Sequence, residues 1–138
     1  SFPTRRSSDL SAKARYGLKV MCYLAKYEGE GPISLPTIAS EVDASEKYAE
    51  QIILSLRKAG LIQATRGVSG GYFVENADQI SVGSIVRVLE DDLVIADCLN
   101  DSNPCPNKNS CSTHVVWEKL YTEINNLLDS MSLKSIIR

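Results

Sequence analysis

Three features of the 138-residue chain predict a mainly α-helical fold. Two short helical stretches, joined by a tight turn, follow a longer one. A glycine-rich hairpin comes directly after them. A polar loop holding three of the four cysteines then leads into a long amphipathic stretch. A helix pair with a hairpin behind it is the pattern of a winged helix-turn-helix, the hairpin being a small β-wing.

The first element begins after Ser1–Asp9, which has no apolar period and no initial Met. This segment reads as a cloning or assembly scar in preference to a native basic arm using Arg5 and Arg6. From Ser11, a plausible N-cap, Ala14, Leu18, Met21, Cys22 and Ala25 recur at helical spacing and predict one buried stripe. Cys22 on that stripe reads as a core thiol. Gly29, Gly31 and Pro32 end the helix. Ser34 can cap a second helix running to Val42, with Pro36 tolerated in its first turn. Asp43–Ala44 is a turn. Ser45 then caps a third helix ending near Ala59, with Gly60 as its stop. Ala49, Ile52, Ile53 and Leu56 are its expected inner face; Glu46, Lys47, Glu50, Gln51, Arg57 and Lys58 are its outer one.

Leu61–Thr65 and Gly71–Val74 read as short strands. Arg66–Gly71 between them holds three glycines, which allow a tight tip. Arg66 at the base can enter a minor groove, and the wing amides, Gly67 included, and Ser69 can meet phosphates. Ser81 is the expected cap of a further helix with Val82, Ile85, Val86 and Leu89 on one face. Acidic Glu90–Asp92 would turn its end away from DNA.

Cys98, Cys105, Cys111 and His114 lie within 17 residues, separated by six, five and two residues. The residues between are loop formers that cannot bury a thiol. A disulfide framework is disfavoured, because three loop cysteines leave one unpaired and nothing marks secretion. Zinc and an iron–sulfur cluster both suit the ligand set, and spacing alone does not separate them.

The last stretch, from about Ser112 to Ser130, predicts a long helix. Val116, Leu120, Ile124, Leu127 and Met131 make one stripe, widened by Trp117, Tyr121 and Leu128. The stripe is wider than one docked helix needs and reads as a homodimer interface in preference to an intramolecular core face.

The whole-chain numbers set limits. The formal net charge is −2, and 43% of residues are hydrophobic. Residues 1–75 hold ten Lys/Arg against eight Asp/Glu, and residues 76–138 hold five against nine. Any phosphate-contacting surface therefore belongs to the front part. No run of about 18 apolar residues suggests a membrane span, and no apolar segment suggests a signal peptide, so a cytoplasmic location is expected. An enzyme is disfavoured, since the single histidine sits in the cysteine loop and no nucleophile–base pair stands out.

The stretches SAKARYGLKVM, SEKYAEQIILSLRKAGLI, RGVSGGY and CSTHVVW together resemble the IscR-type iron–sulfur cluster regulators, of the winged-helix repressor family that also includes NsrR and CymR. The likeness runs from about Leu10 to Arg138. It implies a mainly α fold: a winged helix-turn-helix over residues 10–80, then a cluster-binding loop and long dimerisation helix over residues 81–138. It also implies a homodimeric transcription regulator on a pseudo-palindromic operator, with half-sites about one helical turn apart. A [2Fe-2S] cluster would be held by Cys98, Cys105, Cys111 and His114, and the function would be to sense cluster status and control cluster-assembly genes. CymR-like members lack the cysteine triad, and NsrR-like members take an acidic fourth ligand. The alternatives are a nitric-oxide or redox sensor with a [4Fe-4S] cluster, or a zinc-stabilised interaction protein. The Cys98–Cys105 gap departs from the family by one extra residue, which a flexible loop accommodates at little cost.

The same resemblance carries DNA roles onto Ser45, Lys47, Tyr48, Glu50 and Gln51 at the start of the third helix, Arg66 in the wing, and Arg15 and Tyr16 in the first helix. Gln51 can pair with adenine, and Glu50 can accept from cytosine while repelling phosphate elsewhere.

Overall fold

The computed structural model describes residues 12–90 and 110–138. Its elements in order are α1 (Ala12–Lys26), α2 (Leu35–Glu41), α3 (Glu46–Lys58), β1 (Gln63–Thr65), β2 (Gly71–Phe73), a 3-10 turn (Ala77–Gln79), α4 (Val82–Leu89), α5 (His114–Ser130) and α6 (Leu133–Ile136). The proposed Ser11 cap, Arg5, Arg6, Asp91, Asp92, Cys98 and Cys105 lie outside the described residues.

The helix pair forms as its caps dictate. The Ser45 hydroxyl accepts from the Tyr48 amide at 3.1 Å and so satisfies one of the free N–H groups of α3. Its far end closes with the Gly60 amide on the Arg57 carbonyl (2.9 Å) and the Leu61 amide on Leu56 (3.0 Å). That pairing needs a left-handed residue, and Gly60 has φ +83°. The end of α2 repeats this closure, with Asp43 on Ser40 and Ala44 on Ala39, but the left-handed residue there is Asp43, at φ 56°. Ser34 stands at the predicted cap of α2, yet its hydroxyl meets the Thr37 hydroxyl (2.9 Å) and no backbone amide.

Ala49, Ile52, Ile53 and Leu56 of α3 are buried, as their spacing predicts. Each large side chain among them contributes about 1.5–3 kcal/mol by leaving water. Val82, Ile85, Val86 and Leu89 of α4 are likewise buried, and Ser81 caps that helix through the Ser84 amide at 3.0 Å. The α1 stripe is rotated from the expected one. Its buried residues are Ala14, Gly17, Val20, Met21, Leu24 and Ala25, whereas Leu18 and Cys22 are only partly buried at the core's edge. The reason is Gly17: a Cβ there would collide with the Leu89 side chain and touch Ile52. The close approach of α4 thus selects the face that α1 buries. Glu90 is also a correction. It is buried, with 4% exposure, and presents no acidic surface.

The two strands pair antiparallel, Gln63 with Phe73 and Thr65 with Gly71, and are shorter than predicted. The wing is tied down by a contact that sequence reading missed. Ile33, just before α2, exchanges both backbone hydrogen bonds with Tyr72 at 2.8 Å. A Cβ at Gly71 would strike the Ile33 carbonyl, so the glycine permits this third backbone to approach.

The chain closes on itself through α6, which was not predicted. Leu133 is fully buried in the common core, its amide donates to Ile80 (2.7 Å), and the Val82 amide donates to Met131 (2.8 Å). The end of α5 is therefore anchored beside the start of α4.

Candidate nucleic-acid interface and metal site

Ser45, Lys47, Glu50 and Gln51 are exposed on the leading half of α3, and Tyr48 between them is partly buried. The Ser45 oxygen is occupied by the Tyr48 amide, which leaves its hydroxyl proton available to an outside acceptor. Tyr48 is held by Tyr16 of α1, ring edge to face, with centroids 5.6 Å apart and planes at 84°. Such a pair contributes beyond its buried area and locks α1 to the first turn of α3. Sequence reading named both tyrosines but not their contact. Arg15 is exposed on the same helix, and Arg66, Gly67 and Ser69 are exposed on the wing. Gly67 takes φ +109°, the tip conformation that the glycine run anticipated. α1 and α3 are thus joined at one end, and the wing is pinned to the loop that connects α1 to α2. This is a helix-turn-helix arrangement with its wing fixed in place.

Of the four predicted ligands, Cys111 and His114 are described. His114 is the first residue of α5, two residues later than the predicted start at Ser112. Its side chain is only 12% exposed, and Nε2 lies 2.8 Å from Oε2 of Glu118, one turn further along. Nδ1 is buried without a hydrogen-bond partner among the described residues. A carboxylate at Nε2 favours the tautomer with its proton there, leaving the Nδ1 lone pair unused. A buried, unused acceptor is costly unless something else meets it. The Cys111 sulfur lies 3.1 Å from the Thr113 hydroxyl. Hydrogen bonds from that hydroxyl, and from the Thr113 and His114 amides, lower the thiol pKa against the opposing effect of burial. The thiolate is the metal-binding form. Both described donors therefore fit a metal or cluster ligand set. The contact of Glu118 with His114 is one that sequence reading missed; its i+4 spacing on one helix was the available signal.

α5 has no buried residue along its length. Val116, Leu120 and Leu127 of the predicted stripe are exposed, Leu127 at 61%, and Ile124 and Met131 are partly buried. Val115, outside the predicted stripe, is 68% exposed. Arg87 of α4 ties the two helices together. Its guanidinium donates to Asn125 Oδ1 at 2.8 and 3.2 Å and to Asp129 at 2.7 and 3.0 Å. These bonds, before the charge itself, keep the Asp129 carboxyl below the usual range.

Comparison with known proteins agrees with this architecture. Residues 10–138 match the family model "Rrf2: Iron-dependent Transcriptional regulator". CymR of Bacillus subtilis is 38% identical over 128 residues, which are 92% of this chain and 88% of CymR. IscR of Sodalis glossinidius is 31% identical over 129 residues, 93% of this chain and 78% of that protein. Among solved structures, CymR of B. subtilis, described as its global cysteine regulator, superposes with a TM-score of 0.76 at 39% identity, covering 93% of this chain and 95% of that one. IscR of T. potens superposes with a TM-score of 0.74, also at 39% identity, covering 93% and 85%. The chain is a winged-helix transcriptional regulator of the IscR/CymR type and belongs to the Rrf2 family.

Proposed function

We propose that this regulator is of the IscR kind: a homodimer on a pseudo-palindromic operator that holds a [2Fe-2S] cluster on Cys98, Cys105, Cys111 and His114 and reports iron–sulfur cluster status. The carrying observation is the buried Nδ1 of His114, without a hydrogen-bond partner among the described residues, with Nε2 held by Glu118 beside a thiol-acidifying turn at Cys111. When bound, a cluster with one imidazole ligand supplies a redox-active and labile centre, since imidazole is neutral and protonatable where thiolate is anionic.

The chain's own residues can carry occupancy to DNA. α4 leads into the cysteine segment and α5 leads out of it. Joining Cys98 and Cys105 to Cys111 and His114 would restrain the end of one helix against the start of the other. Leu89, at the end of α4, sits against Gly17 of α1, and α1 is locked to the reading helix through Tyr16 and Tyr48. The exposed face of α5 around Val116, Leu120 and Leu127 is the proposed dimer seam, which would set the spacing of two reading heads. Gln51 and Glu50 are the proposed base-reading residues, with Arg66 in the minor groove and Gly67 and Ser69 on phosphates.

Likeness to CymR favours a second reading, a cluster-free regulator of cysteine genes. The cysteine triad and His114 weigh against it. Anaerobic purification separates the two. The first reading expects red-brown protein with about two irons and two sulfides per chain, and loss of colour in Cys105→Ala. Colourless protein without sulfide overturns it, and about four irons per chain replaces it with a [4Fe-4S] sensor.

A further inference from the structure

The leading half of α3 is poorly charged for its task. Glu46, Lys47 and Glu50 leave it with more negative than positive charge, although it must approach a polyanion. Compensating cations must stand beside it. α1 carries Lys13, Arg15, Lys19 and Lys26 and no acidic residue. Of these, Lys19 is tied to α3 by a chain of contacts. Its Nζ lies 5.1 Å from the centroid of the Tyr16 ring, and that ring packs edge to face on Tyr48 in the first turn of α3. Lys19 is exposed, and Arg15 is one helical turn before it on the same face.

We infer that Lys19 is a DNA-backbone contact, held over Tyr16 so that its ammonium flanks the reading helix and offsets Glu46 and Glu50. The inference rests on the DNA-binding reading above. An ammonium over an aromatic face is positioned without being neutralised, because the ring offers a quadrupole and no counter-charge. It can therefore still pair with a phosphate. Lys26, at the other end of α1, sits over Tyr27 at 5.9 Å in the same way but away from Tyr48, and provides an internal control.

The test is the salt dependence of binding to a mixed-sequence DNA duplex of about 30 base pairs, since the electrostatic contribution is sequence-independent. Full-length wild type, Lys19→Gln, Lys19→Arg and Lys26→Gln would be titrated at several salt concentrations, with thermal melts to confirm folding. Lys19→Gln should reduce the slope of log K against log salt by about 1.8 for the dimer, that is about 0.9 for each protomer's Lys19, while Lys19→Arg and Lys26→Gln keep the wild-type slope. An unchanged slope in Lys19→Gln overturns the inference alone, as does an equal drop in Lys26→Gln, which would mean a diffuse charge effect. A wild type with no salt-dependent binding would overturn the DNA-binding reading itself.

Discussion

His114 shows how much depends on one neighbour. Glu118 approaches Nε2 from the next turn of α5 and so decides which nitrogen is left for a ligand. Replacing Glu118 with Ala removes this orientation but leaves the ligand atom in place. Loss of such an outer partner typically costs about 10–100-fold in metal affinity. Faster iron loss from Glu118→Ala than from wild type, under anaerobic chelator challenge, is the expected result; equal rates would mean that the carboxylate only decorates the surface. At the reading head, Gln51→Ala should cost about 1–3 kcal/mol at one base position of a preferred operator, whereas Arg66→Ala, at a minor-groove residue, should cost most on duplexes whose minor groove is narrow and A·T-rich there. Binding titrations on operator variants separate these two patterns. Gln51 and Arg66 were readable as candidates because type and spacing mark them in the chain. The Tyr16–Tyr48 contact was not, because nothing in a linear pattern says which faces of α1 and α3 meet.

At the level of elements, the inner faces of α3 and α4 were plain in the sequence, since their apolar residues repeat at helical spacing and the same serines cap them. The face of α1 was misjudged because its central buried position is a glycine, which gives no hydrophobic signal. α6 is only Leu133–Ile136, too short to show a period, and the Ile33–Tyr72 bridge is made by backbone atoms that any residue could supply. Gly71→Ala should therefore detach the wing from Ile33 at a cost of about 1–3 kcal/mol, read as a lower denaturant midpoint and weaker DNA binding. Asp43, left-handed in the turn between α2 and α3, carries a strain of about 1–2 kcal/mol. Asp43→Gly should leave stability unchanged or slightly raised, and a β-branched residue there should lower it.

The junction of α4 and α5 has a pH signature. Arg87 depresses the Asp129 carboxyl, so their pairing stabilises the junction above the unfolded carboxylate value of about 3.9 and fades as pH falls through the lower folded value. Fluorescence of Trp117 on α5, followed through acid titration, should report loosening below about pH 4 in wild type. In Arg87→Gln that pH-dependent step should be absent.

For the whole molecule, an amphipathic helix with no buried residue demands a partner surface. Leu120→Lys places a charge at the centre of the proposed seam and should shift sedimentation from dimer to monomer while leaving the melting of the reading head nearly intact. Dimer loss should also cost operator affinity, because two tethered heads bind far more tightly than one. His114 is both a proposed ligand and the first residue of α5, so in the proposed dimer spacing of the heads and occupancy of the ligand set would be the coupled variables. On the proposed reading Glu50 would turn that coupling into site choice, since a carboxylate is favourable over a cytosine amino group and costly elsewhere. The most direct measurement is a binding titration of cluster-loaded and cluster-free protein, with His114→Ala and Glu50→Ala, on a panel of palindromic duplexes at fixed salt. The loaded and cluster-free forms should rank the sites differently, His114→Ala should follow the cluster-free order, and Glu50→Ala should admit sites that the cluster-free form rejects. An identical ranking of every site by the loaded and cluster-free proteins would contradict the account, leaving a DNA-binding regulator whose ligand set is only structural.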